Sequence, residues 1–215
     1  MNSQTLRSTV DGPAGTIECA TDSPPGNAPR GLAVLCHPHP LHGGTMDNKV
    51  VQTLARAFVQ LGYAAVRFNF RGIGASQGVY DAGRGEIDDA MAVIAALRQP
   101  AQALVIGGFS FGGAVASQAC KRVAESGMPA ERLVLVGPAV LNFDVAAVPA
   151  DTLVIHGEKD DVVPLAAVFD WARPQALPVT VLPGAGHFFH GQLPVLKQIV
   201  TGAWLARVLS PSNSL

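Results

Sequence analysis

The sequence predicts an α/β fold: a mainly parallel sheet with helices on both faces and an antiparallel N-terminal edge. Three observations carry this. Apolar residues make up 48% of the 215 residues and charged residues only 14%, so much of the chain has to be buried on more than one side. From Gly31 onward, short continuous apolar runs alternate with stretches of helical periodicity. Continuous apolar runs are how strands buried on both faces read, and strand–helix alternation implies βαβ units. The segment before Gly31 differs, with two β-like pieces joined by the turn-forming DGPAG, which suits an antiparallel edge.

The elements follow in order. Leu6–Val10 and Thr16–Ala20 are the two edge strands, and SPPGNAPR (Ser23 to Arg30) is a rigid loop. GLAVLCH (Gly31 to His37) is a short buried strand. Asn48 to Leu61 is helical, with Val51, Leu54, Ala55 and Phe58 on one face, and Gly62 stops it. YAAVRFNF (Tyr63 to Phe70) is a strand. Glu86 to Arg98 is a helix with acidic residues near its positive N-terminal end and Pro100 beyond it. Ala103–Phe109 is a strand, Gly112–Glu125 a helix, and Leu133–Pro138 and Thr152–Gly157 are strands. Leu165–Trp171 is a short helix, Val179–Gly184 the last strand and Leu193–Leu209 a terminal helix. The length suits one domain spanning residues 1–215.

Composition excludes several classes. The net charge of −1 and the lack of a Lys/Arg stripe leave no field for nucleic acid. No apolar run approaches the roughly 18 residues that a membrane span needs. The N-terminal MNSQTLRSTVDG lacks the apolar core of a signal peptide. Three widely spaced cysteines, Cys19, Cys36 and Cys120, form neither a disulfide framework nor a CxxC site. The expectation is a chain of the reducing cytoplasm.

Ligands of such sheets bind at the carboxyl ends of the strands, and each polar motif here follows a strand. Gly108-Phe109-Ser110-Phe111-Gly112 fits the G-x-S-x-G nucleophile elbow in its strand–turn–helix context. A sharp turn that projects Ser110 forces the strand end and helix start together, so the positions two before and two after it cannot carry bulky side chains. As a dinucleotide or phosphate loop the stretch fails, for it spells no G-x-G-x-x-G and no lysine follows. A serine hydroxyl needs a base and an orienting carboxylate. HGEKDDVVP supplies Asp160, with Asp161 beside it, and LPGAGHFFHG supplies His187, with His190 closer to the next helix. The order Ser110…Asp160…His187 is the one the α/β-hydrolase fold uses.

The chain resembles the small bacterial serine α/β-hydrolases that lack a cap domain. The likeness spans CHPHPLHGGTMDNKVV, VRFNFRGIGASQG, GGFSFGGAVA, HGEKDDVVP and GAGHFFHG. It implies the α/β-hydrolase fold, a Ser110–Asp160–His187 triad and esterase-like hydrolysis with no cofactor, and it fixes no substrate. One oxyanion donor is then the backbone N–H of Phe111. The other comes from His37-Pro38-His39-Pro40-Leu41, where proline has no N–H, leaving His39, favoured by its offset from His37, or Leu41. His37, His39 and His42 also raise a metal site, against which no carboxylate or cysteine follows at ligand spacing. Arg71, in RGIGAS, reads as a packing residue beside the elbow or as a contact for an anionic substrate.

Only Ala139–Asp151 separates two strands where many relatives insert a cap, so an open cleft is expected. Its apolar walls would come from Phe109, Phe111, Phe143, Phe188 and Phe189, with Leu41 as a further substrate contact. The expected activity is hydrolysis of a small or accessible carboxylic ester by a monomer or homodimer. Thioesterase, peptidase and acyltransferase chemistry use the same triad, and a non-catalytic binding protein could keep the same shell.

Overall fold

The computed structural model describes residues 5–26 and 28–209; Asn27 of the Ser23–Arg30 loop, the opening MNSQ and residues 210–215 lie outside them. The order of elements is β1 (Leu6–Gly12), β2 (Gly15–Asp22), β3 (Gly31–Cys36), α1 (Lys49–Gln60), β4 (Tyr63–Phe68), α2 (Arg84–Leu97) and β5 (Ala103–Phe109). Then come α3 (Phe111–Glu125), β6 (Arg132–Val136), β7 (Leu153–Gly157), α4 (Leu165–Ala172), β8 (Val179–Leu182) and α5 (Leu193–Leu209). Among the described residues the strands form one sheet in the order β1-β2-β4-β3-β5-β6-β7-β8. The β1–β2 hairpin is antiparallel and joins β4 antiparallel, while β4, β3, β5, β6, β7 and β8 run parallel.

Side-chain alternation sorts each central strand between two cores. Leu32, Val34 and Cys36 of β3 join Leu104 and Ile106 of β5 and the apolar faces of α2 and α3. Ala33 and Leu35 join Val105 and Phe109 of β5 and the faces of α1 and α5. Both sides being covered, β3 is buried at every position, which is why it reads as an unbroken apolar run. Fully burying one such side chain contributes roughly 1.5–3 kcal/mol.

Local signals set the ends of the helices. The Asn48 side chain accepts the Val50 and Val51 N–H groups at 2.9 and 3.4 Å, an N-cap worth about 1 kcal/mol. Helix α2 begins ahead of Glu86, because the Glu86 carboxylate reaches back to accept the Asp81 and Gly83 N–H groups, both at 2.8 Å. The carboxylate that marks the start in the sequence is therefore a cap acting from inside the first turn. A short 3-10 turn at Pro40–His42, not foreseen from the sequence, follows the alternating prolines.

This topology positions the site. The chain passes from β3 to β4 on one side and then returns to β5 on the other, so the strand order reverses between the carboxyl ends of β3 and β5. Cys36 pairs with Gly108, and the loop after β3 and the turn after β5 leave the sheet side by side. Residues 139–151 form no helix or strand, and among the described residues no cap covers that edge. Among the described residues no helix is long and apolar enough to cross a membrane.

Candidate active site

Strand β5 ends at Phe109 and α3 begins at Phe111, leaving Ser110 alone to make the turn. Its backbone sits at φ 56°, ψ −119°, a left-handed conformation that costs a non-glycine residue about 1–3 kcal/mol. The glycines around it are there for space. A Cβ on Gly108 would collide with the Gly112 carbonyl, and one on Gly112 with the carbonyls of Cys36 and His37. The second collision shows how closely the loop after β3 approaches the elbow.

The loop after β7 brings Asp160 in, and the loop after β8 brings His187. The His187 Nδ1–H donates to Asp160 Oδ2 at 2.7 Å. A carboxylate only accepts, so the neutral imidazole has a bare Nε2, which lies 3.0 Å from Ser110 Oγ and accepts its proton. Asp160 Oδ1 accepts the Val162 and Val163 N–H groups at 3.0 and 2.7 Å. Burial pushes the Asp160 carboxyl up, but the bonds from His187 and Val163 outweigh it and hold it below the usual carboxylate range. The two competitors stand aside: Asp161 is exposed, and His190 is exposed with its ring 5.9 Å from that of Phe188.

All three groups are largely enclosed, with Ser110 8%, Asp160 7% and His187 3% exposed. The cap is absent, as the short segment after β6 predicts, yet the polar groups are not splayed open to water. Two of the phenylalanines expected to wall the cleft do something else. Phe109 is fully buried and its ring lies 4.9 Å from that of His187, so it supports the imidazole from the core side. The alternation of β5 that turns Ser110 outward turns Phe109 inward. Phe189 has φ 52° and is buried in the core shared with α5. Phe188 and Leu41 are exposed and available, Phe188 with its ring 5.1 Å from His187. Phe143 packs edge-on against Phe111 at 4.8 Å, and both line a cavity of about 200 Å³ with Gly83, Ile87, Ala114 and Val115.

The histidine loop is braced by hydrogen bonds. Phe70 N–H donates to His37 Nε2 at 3.0 Å, so Nδ1 carries the proton and donates to the Pro38 carbonyl at 2.6 Å. His39 Nδ1 accepts the Leu41 N–H at 3.2 Å, leaving Nε2–H to donate to the Tyr80 hydroxyl at 3.1 Å. His42 stacks on His39 at 4.5 Å. The Leu41 N–H is thereby committed, whereas the backbone N–H groups of His39 and Phe111 have no protein acceptor among the described residues. Among those residues no group of three or more His, Cys, Asp or Glu side chains is placed to hold a metal ion. Arg71 closes its fork on Asp89 at 3.0 and 2.7 Å, tying its loop to α2.

His37 has a consequence for stability. Burial lowers its pKa from 6.5 to about 4, with the Pro38 carbonyl opposing. The unfolded chain therefore binds the proton that the folded chain refuses, and stability falls as pH drops from about 6.5 to about 4. At 1.36 kcal/mol per unit this amounts to about 3 kcal/mol. Urea unfolding at pH 7 and pH 4.5 should show a drop that is smaller by roughly that amount in His37→Gln; equal drops in both proteins would refute the assignment.

Two residues of this neighbourhood escaped the sequence reading. Tyr80 lies in GVYDAG, where nothing but its ring distinguishes it. His156 is a histidine inside the apolar run LVIHG, and that mismatch was a usable signal.

A parallel sheet reversed at β3 and β5, a serine elbow and no cap define an α/β serine hydrolase. The chain belongs to the family described as serine aminopeptidase S33, whose model matches residues 28–145, more than half of its length. It is similar to a lid-less α/β serine hydrolase from Xanthomonas campestris, with 36% identity, a TM-score of 0.85 and coverage of 99% of this chain and 98% of the other. It is also similar to an α/β serine hydrolase homologue from Coxiella burnetii, with 36% identity, a TM-score of 0.80 and coverage of 94% and 97%. An uncharacterised protein of Rickettsia prowazekii is 35% identical over 198 residues, spanning 83% of this chain and 80% of that protein.

Proposed function

We propose that this protein hydrolyses carboxylic esters through an acyl-serine intermediate. The observation that carries the reading is the relay from Ser110 Oγ through His187 to Asp160, with links of 3.0 and 2.7 Å. Ser110 Oγ attacks the ester carbonyl as its proton passes to His187 Nε2. His187 returns that proton to the departing alcohol as the C–O bond breaks. Water then adds to the acyl carbon and gives its proton to His187, and the acid leaves as Ser110 takes that proton back. Asp160 keeps the imidazole in the tautomer these steps require.

The uncommitted N–H groups of Phe111 and His39 are suited to the oxyanion, and the bond between Leu41 N–H and the His39 ring favours His39 over Leu41 as the second donor. The lack of a cap, the exposed Leu41 and Phe188 and the small cavity bordered by Phe111 and Phe143 favour esters with short acyl groups. The family's description as aminopeptidases supports a second reading, amide hydrolysis by the same relay. Its model, matching residues 28–145, includes Ser110 but neither Asp160 nor His187.

A fluorophosphonate probe tests the nucleophile: it should label the protein and fail to label Ser110→Ala. Short-chain p-nitrophenyl esters should be turned over faster than matched thioesters and aminoacyl amides. No labelling, or faster cleavage of the amides, would overturn the reading.

A further inference from the structure

Strand β7 is buried along its length and ends Leu-Val-Ile-His-Gly, placing an imidazole where the neighbouring residues are apolar. His156 is 0% exposed. Its Nε2 lies 2.8 Å from the Val163 carbonyl. A carbonyl only accepts, so Nε2 carries the proton. The same nitrogen lies 3.5 Å from Asp160 Oδ2, the oxygen that also takes the His187 bond. The other ring nitrogen, Nδ1, is buried without a hydrogen-bond partner among the described residues.

A bare acceptor in the interior is costly, and an apolar side chain of similar size would avoid it. What only a donor supplies is the Nε2–H. That N–H closes a ring around the acid. His156 holds the Val163 carbonyl, Val163 N–H holds Asp160 Oδ1, and His156 Nε2 faces Asp160 Oδ2.

We propose that His156 is a positioning residue for the Asp160–His187 pair, holding the carboxylate in the rotamer that meets Nδ1 of His187. The inference rests on the triad reading above. The ring acts in its neutral form. Burial holds His156 below the usual histidine range and His187 adds to this, against the opposing pull of the Val163 carbonyl and Asp160. A protonated His156 would set a second cation beside Asp160 and compete with His187 for it.

The test is a matched pair of variants. In glutamine the amide nitrogen stands as many bonds from Cβ as Nε2 does in histidine, and in methionine a methyl group takes that place. His156→Met should lower kcat on a short-chain ester about tenfold, the worth of the lost hydrogen bond to the Val163 carbonyl, on which the seating of Asp160 depends. KM should stay within about twofold, and the downfield proton resonance of His187 Nδ1–H should broaden or move. His156→Gln should stay within about threefold of the wild-type kcat, a rescue that mere filling of space does not provide. Equal kcat in the two variants, or an effect confined to KM, overturns the proposal. Should the methionine variant fail to fold, His156→Asn, whose amide is too short to reach Val163, replaces it with the same expectations. Fluorophosphonate labelling keeps the two readings apart. A wild type that is not labelled defeats the triad, whereas normal labelling with equal Gln and Met kinetics defeats only the role of His156.

Discussion

Ser110→Ala should lower kcat by on the order of 10⁶, about 8 kcal/mol of transition-state stabilisation, if the relay acts as proposed. The loss is this large because the relay acts as a unit. Without the hydroxyl, the bare Nε2 of His187, now 3.0 Å from nothing it can deprotonate, and the Asp160 carboxylate have no nucleophile to serve. Residual catalysis would come from binding and the oxyanion donors alone. The fold should survive. Alanine keeps the Cβ, the left-handed backbone at φ 56° is unchanged, and among the described residues the hydroxyl's hydrogen bond is that to His187. Steady-state kinetics and thermal melting of the same preparation check both halves. An active variant would show that another group attacks, and an unfolded one that the hydroxyl is structural.

Asp160→Asn should be the second-largest effect, a fall in kcat of about 10⁴. Both carboxylate oxygens already accept, Oδ2 from His187 and Oδ1 from two backbone N–H groups. An asparagine must turn its NH₂ toward one of these sets of donors. Facing Val162 and Val163 it would oppose two N–H groups that cannot turn away. Facing His187 it donates to Nδ1, which drives the imidazole proton to Nε2 and blocks proton transfer from Ser110. The second orientation wins, and the tautomer is wrong. Nitrogen-15 NMR of the His187 ring would report the switch directly; wild-type kinetics with an unaltered tautomer would overturn the role of Asp160. The variant should also lose an acid-sensitive contribution to stability. The Asp160 carboxyl is held below its ordinary range, so that contribution is present above the unfolded value and lost as pH falls through the lowered one.

Much of this was legible without coordinates. The strands buried on both faces announce themselves as apolar runs because side chains pointing either way meet a helix layer. The elbow was legible because the turn needs glycine two residues before and two after Ser110; the clash at Gly108 is with Gly112, within five residues, whereas the clash at Gly112 is with the loop after β3. In the sequence Asp161 stands beside Asp160 with the same chemistry, and His190 gives way to His187 only because it lies closer to the next helix. The geometry separates them by burial. Phe109 and Phe189 were misread as cleft walls because the sequence gives no direction for a ring next to a turn. The face of β5 and the positive φ of Phe189 send both rings into the core.

The sequence by itself determined the layers, the elbow and the chain order of hydroxyl, carboxylate and imidazole, because local sterics and hydrophobic periodicity are short-range. Only the tertiary structure decided which oxygen of Asp160 meets His187, which loop N–H groups stay uncommitted and that His156 faces the carboxylate. Those outcomes depend on hydrogen bonds between loops that leave different strands, and their geometry exists only once the sheet has brought the loops together.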